Sequence, residues 1–171
     1  MAERTLRYEV SKKKRNDGKI AEKLVRTALT KLRDFHSGAF VRLYDTTSTG
    51  ARAILPETPC DFIFARNGIT CLLEVKSSDK HESLTQVQLS AYISSSQFLA
   101  ANVWGKRAGI PGYFLFYSLV AKEFELWESS TVVCAMSNKV KLDQSCIVSR
   151  FKEEQLLYTL LIVTSGGVKR V

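Results

Sequence analysis

The sequence predicts an α/β domain whose central sheet carries helices on both faces, and three observations predict it. Residues 18–32 place Ile20, Ala21, Leu24, Val25, Ala28, Leu29 and Leu32 at helical spacing, with Lys19, Lys23, Arg26 and Lys31 on the other face. The runs "DFIFA" and "TCLLEVK" flank Asn67-Gly68, a tight-turn pair that closes a hairpin. "YFLFYSLV" is apolar throughout, as a central strand is, and a helix-length segment separates it from the hairpin. Such a connection favours a parallel crossover, and mixed strands and helices favour a layered α/β architecture.

The elements follow in order. Residues 1–15 have no steady period and contain Lys12, Lys13, Lys14 and Arg15, so they are expected as a basic, flexible arm. The amphipathic helix ends at "DFHSG", "AFVRLYD" reads as a strand, and "TTSTGARAILPETP" reads as a long polar loop containing Arg52. After the hairpin, Thr85 followed by Gln88 makes a capping-box pattern for a helix over residues 86–101. "VWGKRAGIPG" is expected as a loop, "EFELWES" and "STVVCAMS" as strands, and "SRFKEEQLLYTLLIV" as a closing helix. With no repeat and no internal linker, residues 16–171 are expected to form a single domain, a size that allows a proper core.

The net charge of +8 is unevenly placed: the first 33 residues hold eleven Lys or Arg against four Asp or Glu. A basic face attracts polyanions, nucleic acid first among them, although a soluble basic protein with a disordered tail would share the same composition. Four scattered cysteines without CxxC spacing and only two histidines argue against a zinc site. Cys60 and Cys71 read as reduced core thiols, the chain has no signal-peptide pattern, and no apolar run approaches membrane-spanning length. The expected setting is therefore cytoplasmic, with no membrane partner.

Three charged groups surround the hairpin. Side chains alternate along a strand, so Glu74 and Lys76 point to one face with Val75 opposite. Folding at Asn67-Gly68 brings Asp61 roughly opposite Glu74. Two carboxylates so placed repel unless a cation lies between them. Oxygen donors of this kind suit Mg²⁺ or Mn²⁺, with the Val75 carbonyl as a further ligand and Lys76 beside it to stabilise charge on a phosphate. The competing reading is that Glu74 and Lys76 mark the solvated end of a strand.

An acid, a hairpin and then Glu-x-Lys resembles the core of the PD-(D/E)XK nuclease superfamily, here as Pro59-Cys60-Asp61 and Glu74-Val75-Lys76, with Cys60 interrupting the Pro-Asp pair. Residues 17–127 further resemble Holliday-junction resolvases of the RecU and archaeal (Hjc) type. "DGKIAEKLV" is similar to their first helix, "VRLYDTTS" with the hairpin to their core, and "SLTQVQLSAY" to the segment whose Gln faces the site. The resemblance implies a restriction-endonuclease-like mixed central sheet flanked by helices. It implies catalytic roles for Asp61, Glu74, Lys76, Glu22 and Gln88 (Gln86 being the other candidate glutamine), with metal held by Asp61, Glu74 and Val75. Glu22 could equally pair with Arg26 on its helix, and Gln88 could serve only its cap.

The implied function is Mg²⁺-dependent cleavage of four-way DNA junctions by a homodimer, with Lys12, Lys13, Lys14, Arg15, Lys19 and Arg52 as DNA contacts. Alternatives are a nuclease of the same fold acting on flaps, ends or duplex sites, or a non-catalytic basic nucleic-acid-binding module. His36, His81 and Asp45 read as loop or turn residues, and Tyr44, Tyr92 and Trp104 as core.

Overall fold

The computed structural model describes residues 2–43 and 60–166. Its elements are helices α1 (Ala2–His36), α2 (Leu89–Tyr92), α3 (Ser95–Ala108), α4 (Ser129–Ser137) and α5 (Leu156–Val163). Its strands are β1 (Ala39–Arg42), β2 (Phe62–Arg66), β3 (Ile69–Ser78), β4 (Gly112–Ser118), β5 (Glu123–Glu128) and β6 (Ser149–Lys152). The strands form one mixed sheet in sequence order; β3 and β4 run parallel and every other neighbouring pair is antiparallel. The α/β class, the mixed sheet and its flanking helices are as the sequence predicts.

The alternation of side chains divides the core in two. On one face Phe62, Phe64, Leu73, Val75 and Leu115 pack on Ala21, Val25, Leu29 and Leu32 of α1 and on Leu156 and Leu160 of α5. On the other, Phe114, Phe116 and Trp127 pack under Leu84, Val87, Ile93 and Val132. The β2–β3 turn has Asn67 at φ 51° and Gly68 at φ 78°, the double left-handed backbone that two-residue hairpins require. Arg66 pairs with Ile69 across it, which sets the register of the whole hairpin.

Four expectations are corrected. First, α1 begins at Ala2, so the backbone of residues 2–15 continues the helix instead of preceding it. Second, "STVVCAMS" is helix α4 and not a strand. Its β-branched run favours a strand locally, but Ser129, Val132, Val133 and Ala135 bury at helical spacing against the sheet, and that burial outweighs propensity.

Third, the closing helix starts only at Leu156. Residues 149–152 instead add strand β6 to the edge of β5, where Phe151 stacks on Phe124 at 5.7 Å between ring centroids. Fourth, no continuous helix spans residues 86–101. Ser83 caps a short 3-10 turn, Leu84–Gln86, and α2 follows. Ser94 then opens α3 with a capping box to Gln97. The buried positions Leu84, Val87, Leu89 and Ile93 do not lie on one helical stripe, so a single helix could not bury all four. α3 also runs through the residues expected as a loop, and Gly109 ends it in the left-handed C-cap conformation at φ 65°.

Candidate active site

β3 outruns β2. The last β2–β3 partners are Phe62 and Leu73, so Glu74, Val75 and Lys76 extend beyond the hairpin while still pairing with β4. Leu72 donates its N–H to Pro111 on the β4 side, so the odd-numbered residues of β3 turn their backbone groups toward β2. Beyond the end of β2, Val75 therefore has no strand partner on that side. Asp61 fills the gap: its Oδ2 accepts the Val75 N–H at 2.7 Å. The sequence places Asp61 opposite Glu74, and the hydrogen bond fixes it there. Val75's side chain packs in the α1 core while Glu74 lies on the opposite face, where Gln97 of α3 meets it.

Glu74 is almost wholly buried, and Lys76 Nζ lies 2.8 Å from its Oε1. Gln97 completes a closed triangle. Its Nε2 donates to Glu74 Oε1 at 2.5 Å, and its Oε1 accepts from Lys76 Nζ at 3.0 Å. The same Oε1 accepts the Ser94 N–H at 3.1 Å, so the capping box of α3 also orients the amide at the site. Glu22 reaches in from α1 and pairs with Arg42 of β1 rather than with Arg26.

The electrostatics follow from burial. Desolvation pushes the Asp61 carboxyl up to about 7; the neighbouring Glu74 and, less, Glu22 push the same way, against the Val75 N–H and Lys76. Burial also raises Glu74, opposed first by Lys76, while Glu22 adds to the rise. The Glu22 charge thus acts on both Asp61 and Glu74 at the end of β3. Beside them, burial raises the Cys60 thiol to about 12 and the Cys71 thiol to about 11, so both stay protonated and serve as packing.

The remaining site candidates are dispersed. Gln88 stands at the N-cap of α2 and lines a groove with Met136 and Lys141; Gln86 accepts from the Glu82 N–H. Neither bonds to Glu74 or Lys76, and Gln97 holds the position expected of Gln88. Ser94-x-x-Gln97 is the same capping-box pattern as Thr85-x-x-Gln88, so the signal was present in the sequence. Only the burial pattern separates the two. Arg42 lies in the quoted "VRLYDTTS" but was given no role by sequence reasoning; its pairing with Glu22 appears once β1 pairs with β2 and sets Arg42 opposite Phe62. Lys19 is exposed on α1. Lys12, Lys13, Lys14 and Arg15 have helical backbone but side chains outside the described part, and Arg52, Asp45 and Tyr44 lie outside the described residues. His81 packs edge-on to Tyr92, with 6.4 Å between centroids, and its backbone N–H donates to Ser78 Oγ.

No protein-family model matches the chain, and no curated protein matches it. Among solved structures it is similar to Hjc, a Holliday junction resolvase from the archaeal hyperthermophile Archaeoglobus fulgidus, at TM-score 0.45 and 14% identity, over 85% of this chain and 98% of that one. Among the described residues no helix is long and apolar enough to cross a membrane.

Among the described residues no three His, Cys, Asp or Glu side chains gather as a ready-made metal cage. The donors here are two carboxylates and the Val75 carbonyl, which shares the unpaired side of β3 with the Val75 N–H. That set fits Mg²⁺ or Mn²⁺, which keep several waters and bind through one or two carboxylates plus substrate phosphate. It does not fit zinc, which takes nitrogen and sulfur ligands.

Proposed function

We propose that this chain is a divalent-metal-dependent endonuclease of the PD-(D/E)XK kind, hydrolysing DNA phosphodiesters, with the four-way junction as its preferred substrate and a homodimer as its working form. The observation that carries the nuclease reading is the pair Asp61 and Glu74, both raised by burial, with the Lys76 ammonium 2.8 Å from Glu74. A strand's solvated end would leave these groups in water. Here Glu74 is 4% exposed, and two buried carboxylates with one lysine ammonium between them favour a further cation.

Asp61, Glu74 and the Val75 carbonyl would hold Mg²⁺ or Mn²⁺, which when bound polarises a phosphate and acidifies a water. The residues of the chain supply the rest. The Val75 N–H holds the Asp61 carboxylate at the mouth of the site. Lys76 presents an ammonium to the negative charge that grows on phosphorus during attack. Gln97 fixes Lys76 and Glu74 relative to each other, so neither must reorganise as charge develops. Glu22 and Arg42 close the α1 side, where Arg42 can also meet a phosphate. Lys12, Lys13, Lys14, Arg15 and Lys19 would track the DNA backbone, with Arg52 as a further contact.

The test is cleavage of a fixed four-way junction beside a linear duplex of equal length, with and without Mg²⁺, by wild type and Asp61→Asn. Metal-dependent paired nicks in the junction arms, lost in the variant, support the reading. Linear-duplex cleavage of equal efficiency would leave the nuclease and remove the junction preference. Full activity of Asp61→Asn at saturating Mg²⁺ would remove both.

A further inference from the structure

A groove of about 720 Å³ lies between the turn that enters α2 and the end of α4, and the chemistry above gives it no part. It opens on the α2–α4 side of the sheet, the side on which Glu74 and Lys76 lie. Its floor includes Val87, Leu89 and Ala135, all buried. Its rim is polar and exposed, with Gln86 and Ser90 on one wall and Lys139 and Lys141 on the other. The helix that borders the groove also reaches the strand of the site: Tyr92 donates its hydroxyl to Ser78 Oγ, two residues beyond Lys76.

The lining selects the occupant. Two lysines contribute to it and no acidic residue does, so it favours an anion. Among the described residues neither lysine pairs with an acid. Asp143, the nearest acid along the chain, accepts the Ser145 N–H as the cap of its own turn. Lys139 follows the C-cap of α4 at φ 54°, a left-handed position that glycine or asparagine fits best, so a long side chain is kept there against the preference of the backbone. The helix dipole favours a cation at that end, but its reach stops within the last turn and does not extend to Lys141. No aromatic side chain lines the groove, so it offers no face on which unpaired bases could stack. Ammonium groups beside neutral amide and hydroxyl donors suit the sugar-phosphate backbone of paired DNA.

We infer that the groove seats the backbone of the duplex being cut, to one side of the scissile phosphate, with Lys139 and Lys141 each neutralising one phosphate. This rests on the nuclease reading and deepens it, because it gives the substrate a hold on the α2–α4 side that is independent of base sequence.

The test is equilibrium binding of a fluorescein-labelled linear duplex to the full chain in EDTA over a range of salt, so no cleavage is needed. Wild type, Lys139→Gly, Lys141→Glu and Lys122→Glu are compared. Lys139→Gly relieves the left-handed backbone and should melt no lower than wild type, yet bind the duplex several-fold more weakly and lose about one unit of salt slope. Lys141→Glu should also lose about one unit. Lys122→Glu controls for net charge: Lys122 is likewise exposed, at φ 55°, but lies outside the groove in the turn between β4 and β5, and its variant should keep the wild-type slope. An equal loss in Lys122→Glu would reduce the effect to net charge and overturn the proposal, as would unchanged slopes in Lys139→Gly and Lys141→Glu. An equal loss on a single strand of the same length would overturn the assignment to paired DNA. These outcomes leave the nuclease reading standing, whereas a wild type that binds no DNA would remove both.

Discussion

At Asp61 two effects oppose each other. Burial and the Glu74 charge favour its proton, while the Val75 N–H favours its anion, and burial wins, taking the carboxyl to about 7. An acid whose folded pKa lies above its unfolded value of about 3.9 adds stability below that value and loses it as pH rises through the folded pKa. Metal-free wild type should therefore lose stability between about pH 4 and pH 8 at this site. Asp61→Asn keeps an oxygen for the Val75 N–H and removes the titration. In EDTA at pH 8 it should be more stable than wild type by about 2 kcal/mol, or several degrees in Tm, with the gap closing near pH 4 in thermal melts. The same variant should lose cleavage on the order of a thousandfold, with DNA binding intact or tighter, since a negative charge leaves a phosphate site. Lys76→Ala should abolish cutting too, but weaken binding modestly. Gln97→Ala should lower kcat about ten- to a hundredfold, as loss of a group orienting the reacting residues does, while Gln88→Ala leaves it unchanged; single-turnover rates separate the two.

At the scale of elements, the structure depends on buried polar pins between segments far apart in sequence. Glu125 of β5 is 1% exposed and accepts from Ser83 Oγ, the Leu84 N–H, Trp127 Nε1 and Arg150. It thereby ties the turn after β3 and the edge strand β6 to β5. Removing it leaves the Leu84 and Trp127 donors buried and unpaired. Glu125→Ala should cost about 3 kcal/mol in urea unfolding, whereas Glu125→Gln, which keeps an acceptor, should cost less. Because the same turn leads into α2 and α3, Glu125→Ala should also reduce cleavage by loosening Gln97.

For the whole molecule, charge and symmetry are where the proposed junction preference is tested. The net charge of +8 is concentrated toward α1, so DNA binding should weaken steeply with salt. Removing residues 1–15 should weaken binding to every DNA form alike and flatten the salt slope by about one unit per lost phosphate contact; salt titration of the truncated chain measures this. A four-way junction has two-fold symmetry, so a resolvase presents two copies of this surface. Sedimentation of the protein with junction DNA should give two chains per junction, and linear duplex should compete poorly. A one-to-one complex would assign the site to a different DNA structure.

The hairpin and its charged residues were legible because they depend on local rules. Asn67-Gly68 selects the turn, the turn sets the register, and the two-residue side-chain period puts Glu74 and Lys76 on one face. Asp61 follows from counting back across that turn. The amphipathic core of α1 and the central position of β4 were legible for the same reason, since period and continuous apolarity act over one element. Tertiary structure decided the rest. Residues 129–137 prefer a strand by composition but bury as a helix on β4 and β5. Residues 149–152 look like the start of a helix but find the open edge of β5. Two equivalent capping boxes, at Thr85 and at Ser94, were resolved only by the need to bury Leu84, Val87, Leu89 and Ile93 together, and that choice brought Gln97 to the carboxylates. In each case the deciding free energy comes from contacts with residues distant in sequence, which a local pattern does not encode.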